Sequence, residues 1–166
     1  MKLFLLRHAK ARDTWPDAER ELADFGIEQI SKLAKVVDKS QFCDVVQIWH
    51  SPYLRAEQTA KIFKERASIS APLVSTPTIT PEDNPYETAR MIASLSCFEK
   101  DLMIVSHNPF LENLTDILLA GTKRGGRTVF GKCTLAALTL EDAPSPDLEY
   151  GLWSLDFLIS PKIICD

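Results

Sequence analysis

Short apolar runs separated by stretches of helical periodicity set the pattern of this chain. Residues 3–6, 45–49, 102–106 and 135–140 are nearly continuous in aliphatic and aromatic side chains, which predicts strands buried on both faces. Residues 152–157 alternate instead, with Trp153, Leu155 and Phe157 on one predicted face. The turn signal Ala143-Pro144-Ser145-Pro146-Asp147 before them predicts that the last two strands are antiparallel neighbours. Ile27, Ile30, Ala34 and Val37 form an apolar stripe at helical spacing, with Asp24 as the expected N-cap. Ser51-Pro52, Asn84-Pro85 and Asn108-Pro109 each read as a capping residue followed by proline at the first helical position, where its missing N–H costs nothing. Ala56/Ala60/Phe63, Ile92/Leu95 and Leu111/Leu114/Leu118 supply the core faces that follow, and Gly121 is an expected stop. Strands alternating with helices predict an α/β fold, a three-layer α/β/α sandwich around a mostly parallel sheet.

Length and composition narrow this further. The 166 residues fit one domain, 1–166, without repeats or a linker. Hydrophobic residues are 45% and charged residues 25%, a globular mix. Lys and Arg total 19 against 23 Asp and Glu, a net charge of -4, so no nucleic acid or membrane partner is expected, although a local basic pocket is not excluded. Cys43, Cys97, Cys133 and Cys165 lie far apart and read as free thiols. The apolar start breaks at Arg7, too early for a signal segment. A cytoplasmic protein, monomeric and without cofactor, is expected.

Three predicted strand ends carry the candidate chemistry, because open α/β sheets bind ligands beyond the carboxyl ends of their strands. The first strand runs into Arg7-His8-Ala9-Lys10 and the second into Ser51-Pro52-Tyr53-Leu54-Arg55. The third runs into Ser106-His107-Asn108-Pro109. Two histidines and two arginines converging near helix N-termini describe an anion site, with phosphate as the implied ligand. A neutral imidazole attacks phosphorus in line while the arginines hold the equatorial oxygens. With that many cations present no metal is required, and no metal or nucleotide-binding motif is found.

These motifs resemble the histidine phosphatase superfamily, with its phosphoglycerate mutase-like fold, and within it the SixA-type phosphohistidine phosphatase branch. Arg7-His8-Ala9-Lys10 looks like that branch's form of the Arg-His-Gly signature. The stretch from Ser51 to Thr59 is similar to the long Ser-Pro-x-x-Arg-Ala-x-Gln-Thr block, and residues 105–109 are similar to the block with the second histidine. Arg20-Glu21-Leu22 followed by Gly26 resembles a further segment, with Glu21 and Ala23 departing from its proline and threonine. The resemblance implies that His8 is the phosphorylated nucleophile, that Arg7, Arg55 and His107 bind the phosphoryl group, and that Arg20 adds to the phosphate pocket.

One departure bears on substrate. Relatives acting on phosphoesters supply a carboxylic acid to the leaving alkoxide, and the position where one branch places it, after the second histidine, is Asn108. Glu82 and Asp83 are the nearest alternative acids, with Glu87 beside them. An imidazole leaving group needs less acid assistance, which favours a phosphohistidine-bearing protein as partner. The alternatives are a small phosphorylated substrate cleaved with Glu82 or Asp83 as acid, and a non-catalytic phosphate-binding adaptor. Outside these motifs, His50 reads as structural or exposed, and Trp15-Pro16 as either an entrance wall or an ordinary surface loop. The basic run 123–127 reads as a solvated loop, with recognition of an acidic protein as the sharper reading.

Overall fold

The computed structural model describes residues 1–123 and 128–163, which include six strands and four α-helices. In chain order these are β1 (Lys2–Arg7), α1 (Asp24–Val36), β2 (Val45–His50), α2 (Leu54–Ala67), β3 (Leu73–Ser75), α3 (Pro85–Leu95), β4 (Asp101–Ser106), α4 (Phe110–Ala120), β5 (Leu135–Asp142) and β6 (Leu152–Ile159). The sheet order is β3-β2-β4-β1-β5-β6. β1, β2, β3 and β4 pair in parallel, whereas β5 runs antiparallel to both β1 and β6. The mostly parallel sandwich expected from the sequence is therefore present.

Alternation along β1 divides the core. Phe4 and Leu6 face α1 and α2 together with Ile30, Leu33 and Phe63. Leu3 and Leu5 face α3 and α4 together with Ile92, Phe110 and Leu114. Leu3 through Leu6 are all fully buried, and burial of each such side chain stabilises the fold by about 1.5–3 kcal/mol. The helix after β1 covers one face and the helix after β4 the other. These adjacent parallel strands thus form a switch point, and a crevice opens at their carboxyl ends.

Several local expectations are corrected. Asp24 is the first residue of α1 rather than its cap, which is Ala23 with no side-chain bond. Ile27 points outward at 42% exposure, and Gly26 takes the inward place instead. A β-carbon on Gly26 would lie 2.2 Å from the Lys10 carbonyl oxygen, the same oxygen that accepts from Ala23 N at 2.8 Å. Among the three Pro-led openings only Asn84-Pro85 caps as expected, with Asn84 Oδ1 accepting from Tyr86 N at 3.2 Å. α2 starts later, at Leu54, and α4 at Phe110, because Ser51 and Asn108 direct their side chains to partners at the site. Gly121 ends α4 with φ +69 as expected.

The face of β6 also differs. Leu138 opposes Leu155 and Ala137 opposes Phe157, so Asp156 is an unopposed bulge residue. One extra residue reverses the side-chain alternation, and Phe157 packs on the α1/α2 side while Trp153 packs on the other. Among the described residues, no helix is long and apolar enough to cross a membrane.

Candidate active site

Backbone bonds stitch the three strand ends together. His8 N donates to Ser106 O at 3.0 Å, Ser51 N donates to Val105 O at 3.0 Å, and Arg7 N donates to Thr134 O at 3.0 Å. This places Arg7, His8, Arg20, Arg55 and His107 around one pocket of roughly 210 Å3, completed by Ala11, Pro81, Asn108 and Lys132. Every histidine and arginine that the sequence nominated for the phosphate site lines it.

His8 is held in one tautomer. Its Nδ1 lies 2.8 Å from the Ala9 carbonyl oxygen. A carbonyl only accepts, so Nδ1 carries the proton and Nε2 keeps its lone pair. The His107 ring stands against it, with centroids 4.9 Å apart, and its Nε2 is 2.8 Å from the Ser51 hydroxyl. Burial pushes the His8 imidazole down to about 3, with Arg55, Arg7 and Lys132 adding to the effect. Burial and then His8, Arg55 and Arg7 push His107 down to about 2. Both shifts favour the neutral rings, so the pocket offers a nucleophilic nitrogen beside the guanidinium groups of Arg7 and Arg55.

Arg7 and Arg55 are aimed by fixed acceptors. Arg7 Nη1 donates to Phe130 O at 2.6 Å, and its Nε has no partner among the described residues. Arg55 Nη1 donates to Asp17 O at 2.6 Å, and Nη2 to Asp17 Oδ2 at 3.0 Å. The guanidinium also stacks 4.8 Å from the Tyr53 ring centre. Arg20 reaches Asp17 Oδ1 at 3.0 Å and Asp13 at 3.5 Å, with Nε on Arg12 O. Burial opposes ionisation of Asp17, but hydrogen bonds from Arg20 and Arg55 hold its carboxyl below the usual range.

The rest of the long second motif acts behind these groups. Thr59 Oγ1 donates to Arg55 O at 2.6 Å and accepts from Ala9 N at 3.1 Å. It thereby ties the arginine's helix to the loop that fixes the His8 tautomer. Gln58 Oε1 accepts from Leu22 N at 2.8 Å. Asn108 donates through Nδ2 to Glu112 Oε1 at 2.6 Å and to Phe130 O at 2.9 Å, which links it to the acceptor of Arg7.

The two nominated acids sit on the turn beyond Pro81. Asp83 Oδ2 accepts from Thr80 N at 2.6 Å, so its carboxylate closes that turn. Glu82 is exposed and lies against the Tyr53 phenol, which burial, Glu82 and Asp17 together push up. Neither lines the pocket. His50 is buried with Nδ1 on Ser51 O, and Trp15 is 90% exposed. Cys133 is distant from the motifs in sequence yet donates its backbone N–H to His8 O at 3.1 Å. Residues 124–127 of the basic run and Cys165 lie outside the described residues.

Sequence reasoning missed Asp17, Lys132, Ser51 as the partner of His107, and Glu112. The Asp17-x-x-Arg20 spacing and the one-turn spacing of Asn108 and Glu112 are readable signals. Nothing in the sequence pointed to Lys132.

Compared with known proteins, residues 3–79 match the Histidine phosphatase superfamily (branch 1). That segment contains Arg7, His8, Arg20 and Arg55. The match covers a little under half of the chain and is a resemblance to that superfamily in the segment that carries these residues. Among solved structures, the chain is similar to the protein histidine phosphatase SixA complexed with tungstate, at 24% identity and TM-score 0.83, covering 98% of this chain and 99% of that one. A protein assigned as the phosphohistidine phosphatase SixA of Agrobacterium tumefaciens gives 21% identity and TM-score 0.73, covering 96% and 97%. A protein assigned as an α-ribazole-5′-P phosphatase from Escherichia coli gives 17% and 0.69, covering 97% and 98%. At these identities the likeness is one of fold. No curated protein matches the sequence.

Proposed function

We propose that this protein is a metal-independent phosphatase of the histidine phosphatase superfamily that takes a phosphoryl group from a protein phosphohistidine and passes it to water through His8. The observation that carries the reading is the Nδ1 bond to Ala9 O, which leaves His8 Nε2 as the free lone pair inside an arginine-lined pocket. His8 Nε2 forms a bond to phosphorus as the substrate's P–N bond breaks, and the substrate ring, protonated on its other nitrogen, keeps the electron pair of that bond and departs as neutral imidazole. Arg7, Arg55 and His107 meet the charge on the phosphoryl oxygens. Water then attacks phosphorus, the P–N bond to His8 breaks, and phosphate leaves.

Phosphohistidine is preferred over a phosphoester because no carboxylate lines the pocket among the described residues. Asp17 is bound by two arginines, Asp83 closes a turn, and Glu82 is exposed beside Tyr53. An imidazole leaves without the strong acid that an alkoxide needs. Likeness in fold to SixA, solved as a complex with tungstate, a tetrahedral oxyanion like phosphate, supports the same reading. The test is phosphate release from a phosphohistidine-bearing phosphotransfer domain in the presence of a chelator. The native protein is expected to act, and His8→Ala to be slower by about 10³-fold or more. Full activity in His8→Ala overturns the mechanism. Faster release from small phosphoesters than from phosphohistidine, lost in Glu82→Gln or Asp83→Asn, would replace the substrate class.

A further inference from the structure

The pocket is electrostatically lopsided. Several cations in and around the pocket have carboxylate partners. Arg20 is paired with Asp13 and Asp17, Arg55 with Asp17, and Arg12 with Asp24. Lys10, two residues past His8 in the chain, and Lys132, in the turn before β5, stand outside these pairs. Among the described residues neither has a carboxylate within ion-pair distance. Both are exposed, and Lys132 lines the pocket itself. The two ammonium groups are also near enough to oppose each other. Burial and then Lys10, followed by Arg7 and Arg20, push the Lys132 ammonium down from its ordinary value.

Like charges held together without a counter-charge raise the energy of the free protein, and an anion between them removes that cost. The expected phosphoryl donors, Arg55 and the histidines, are buried and Arg7 is half-buried, whereas Lys132 and Lys10 are exposed. Positive charge without a carboxylate partner thus stands at the exposed rim of the pocket, at Lys132 with Lys10 near it.

We propose that Lys10 and Lys132 form a subsite for a second anionic group that the substrate carries next to its phosphoryl group. The proposal rests on the phosphatase reading for its place in turnover. For a protein substrate the group is an acidic side chain flanking the phosphohistidine, and for a small molecule it is a carboxylate or second phosphate. Because the subsite is at the surface, its attraction is screened by salt more strongly than that of the deep pocket.

The experiment is calorimetric binding of two probes, inorganic phosphate and phosphonoacetate, which adds a carboxylate to a phosphonate. The native protein is expected to prefer phosphonoacetate by about tenfold, one well-placed charged contact. Lys132→Met and Lys10→Met are each expected to shrink that ratio toward unity, Lys132→Arg to keep it, and salt to erode it. A ratio that is near unity in the native protein, or unchanged in both Met variants, overturns the subsite. Each ratio compares two probes on one folded protein, so a general loss of stability does not imitate the effect. Binding also tests the subsite if no phosphohistidine is hydrolysed, which separates its failure from failure of the enzymatic reading. A second pair, phosphohistidine peptides differing only in a flanking Glu or Gln, separates the sources. Preference for the Glu peptide that is lost in Lys132→Met identifies a protein substrate, and its absence alongside phosphonoacetate preference identifies a small one.

Discussion

Asp17 holds both oxygens of its carboxylate against arginines of the pocket, Oδ1 on Arg20 and Oδ2 on Arg55. A side chain so placed either aims the arginines or competes with phosphate for them. Among the described residues Arg55 Nη1 and Nη2 each show one acceptor, both on Asp17, and each nitrogen carries a second hydrogen, so aiming is the expected role. Asp17→Ala should weaken inorganic phosphate binding about five- to tenfold, the effect of one charge-assisted hydrogen bond, and tighter binding would show competition instead. The histidines give a second prediction at this scale. Folded, His8 and His107 take up protons only near pH 3 and 2, whereas unfolded they titrate near 6.5. The unfolded chain therefore binds more protons below about pH 6.5, and stability falls as pH drops, by up to about 1.4 kcal/mol per unit for each histidine. Urea unfolding between about pH 7 and 4.5 should show this slope. It should be shallower in His107→Gln and partly offset by added phosphate, whose charge favours protonation of the rings.

At the scale of elements, α1 reaches its place only because Gly26 lets it close on the backbone of Lys10. Gly26→Ala puts a methyl group 2.2 Å from a carbonyl oxygen, and backbone cannot yield as a side-chain tip does. A loss of about 3 kcal/mol or more is expected, read as a lower urea midpoint, with weakened phosphate binding because the same loop carries His8. Near-native stability would mean that α1 slides freely. What the sequence revealed of the elements follows from how much of each is buried. The runs in β1, β2, β4 and β5 are legible because apolar residues occupy both faces. β3 is not, being two half-buried residues and an exposed serine at the sheet edge. The bulge at Asp156 left no trace, since alternation continues through it in the sequence. The Pro-led openings show why a cap signal is incomplete evidence. Asn84 faces only solvent and its own helix and caps it, whereas Ser51 and Asn108 are drawn to His107 and Glu112.

For the molecule as a whole, the chemistry was legible where a strand ends in unusual residues, and illegible where loops bring charges together. Arg7, His8, Arg55 and His107 lie at, or one turn beyond, the ends of β1, β2 and β4, and neighbouring parallel strands bring those ends together. Asp17 and Lys132 come from connections whose path no periodicity encodes. The central position of β1 has one more consequence. Leu3 pairs with Leu102 on one side and Leu138 on the other, so the strand that precedes all others of this sheet has no neighbour until about a hundred further residues have followed. Such distant pairings form late in folding. Arg7 and His8 thus leave the ribosome as ordinary solvated side chains, and chemical competence arrives only when the sheet closes around them. An oxyanion that recognises the closed pocket then favours the completed sheet over any form in which the N-terminal strand has come loose.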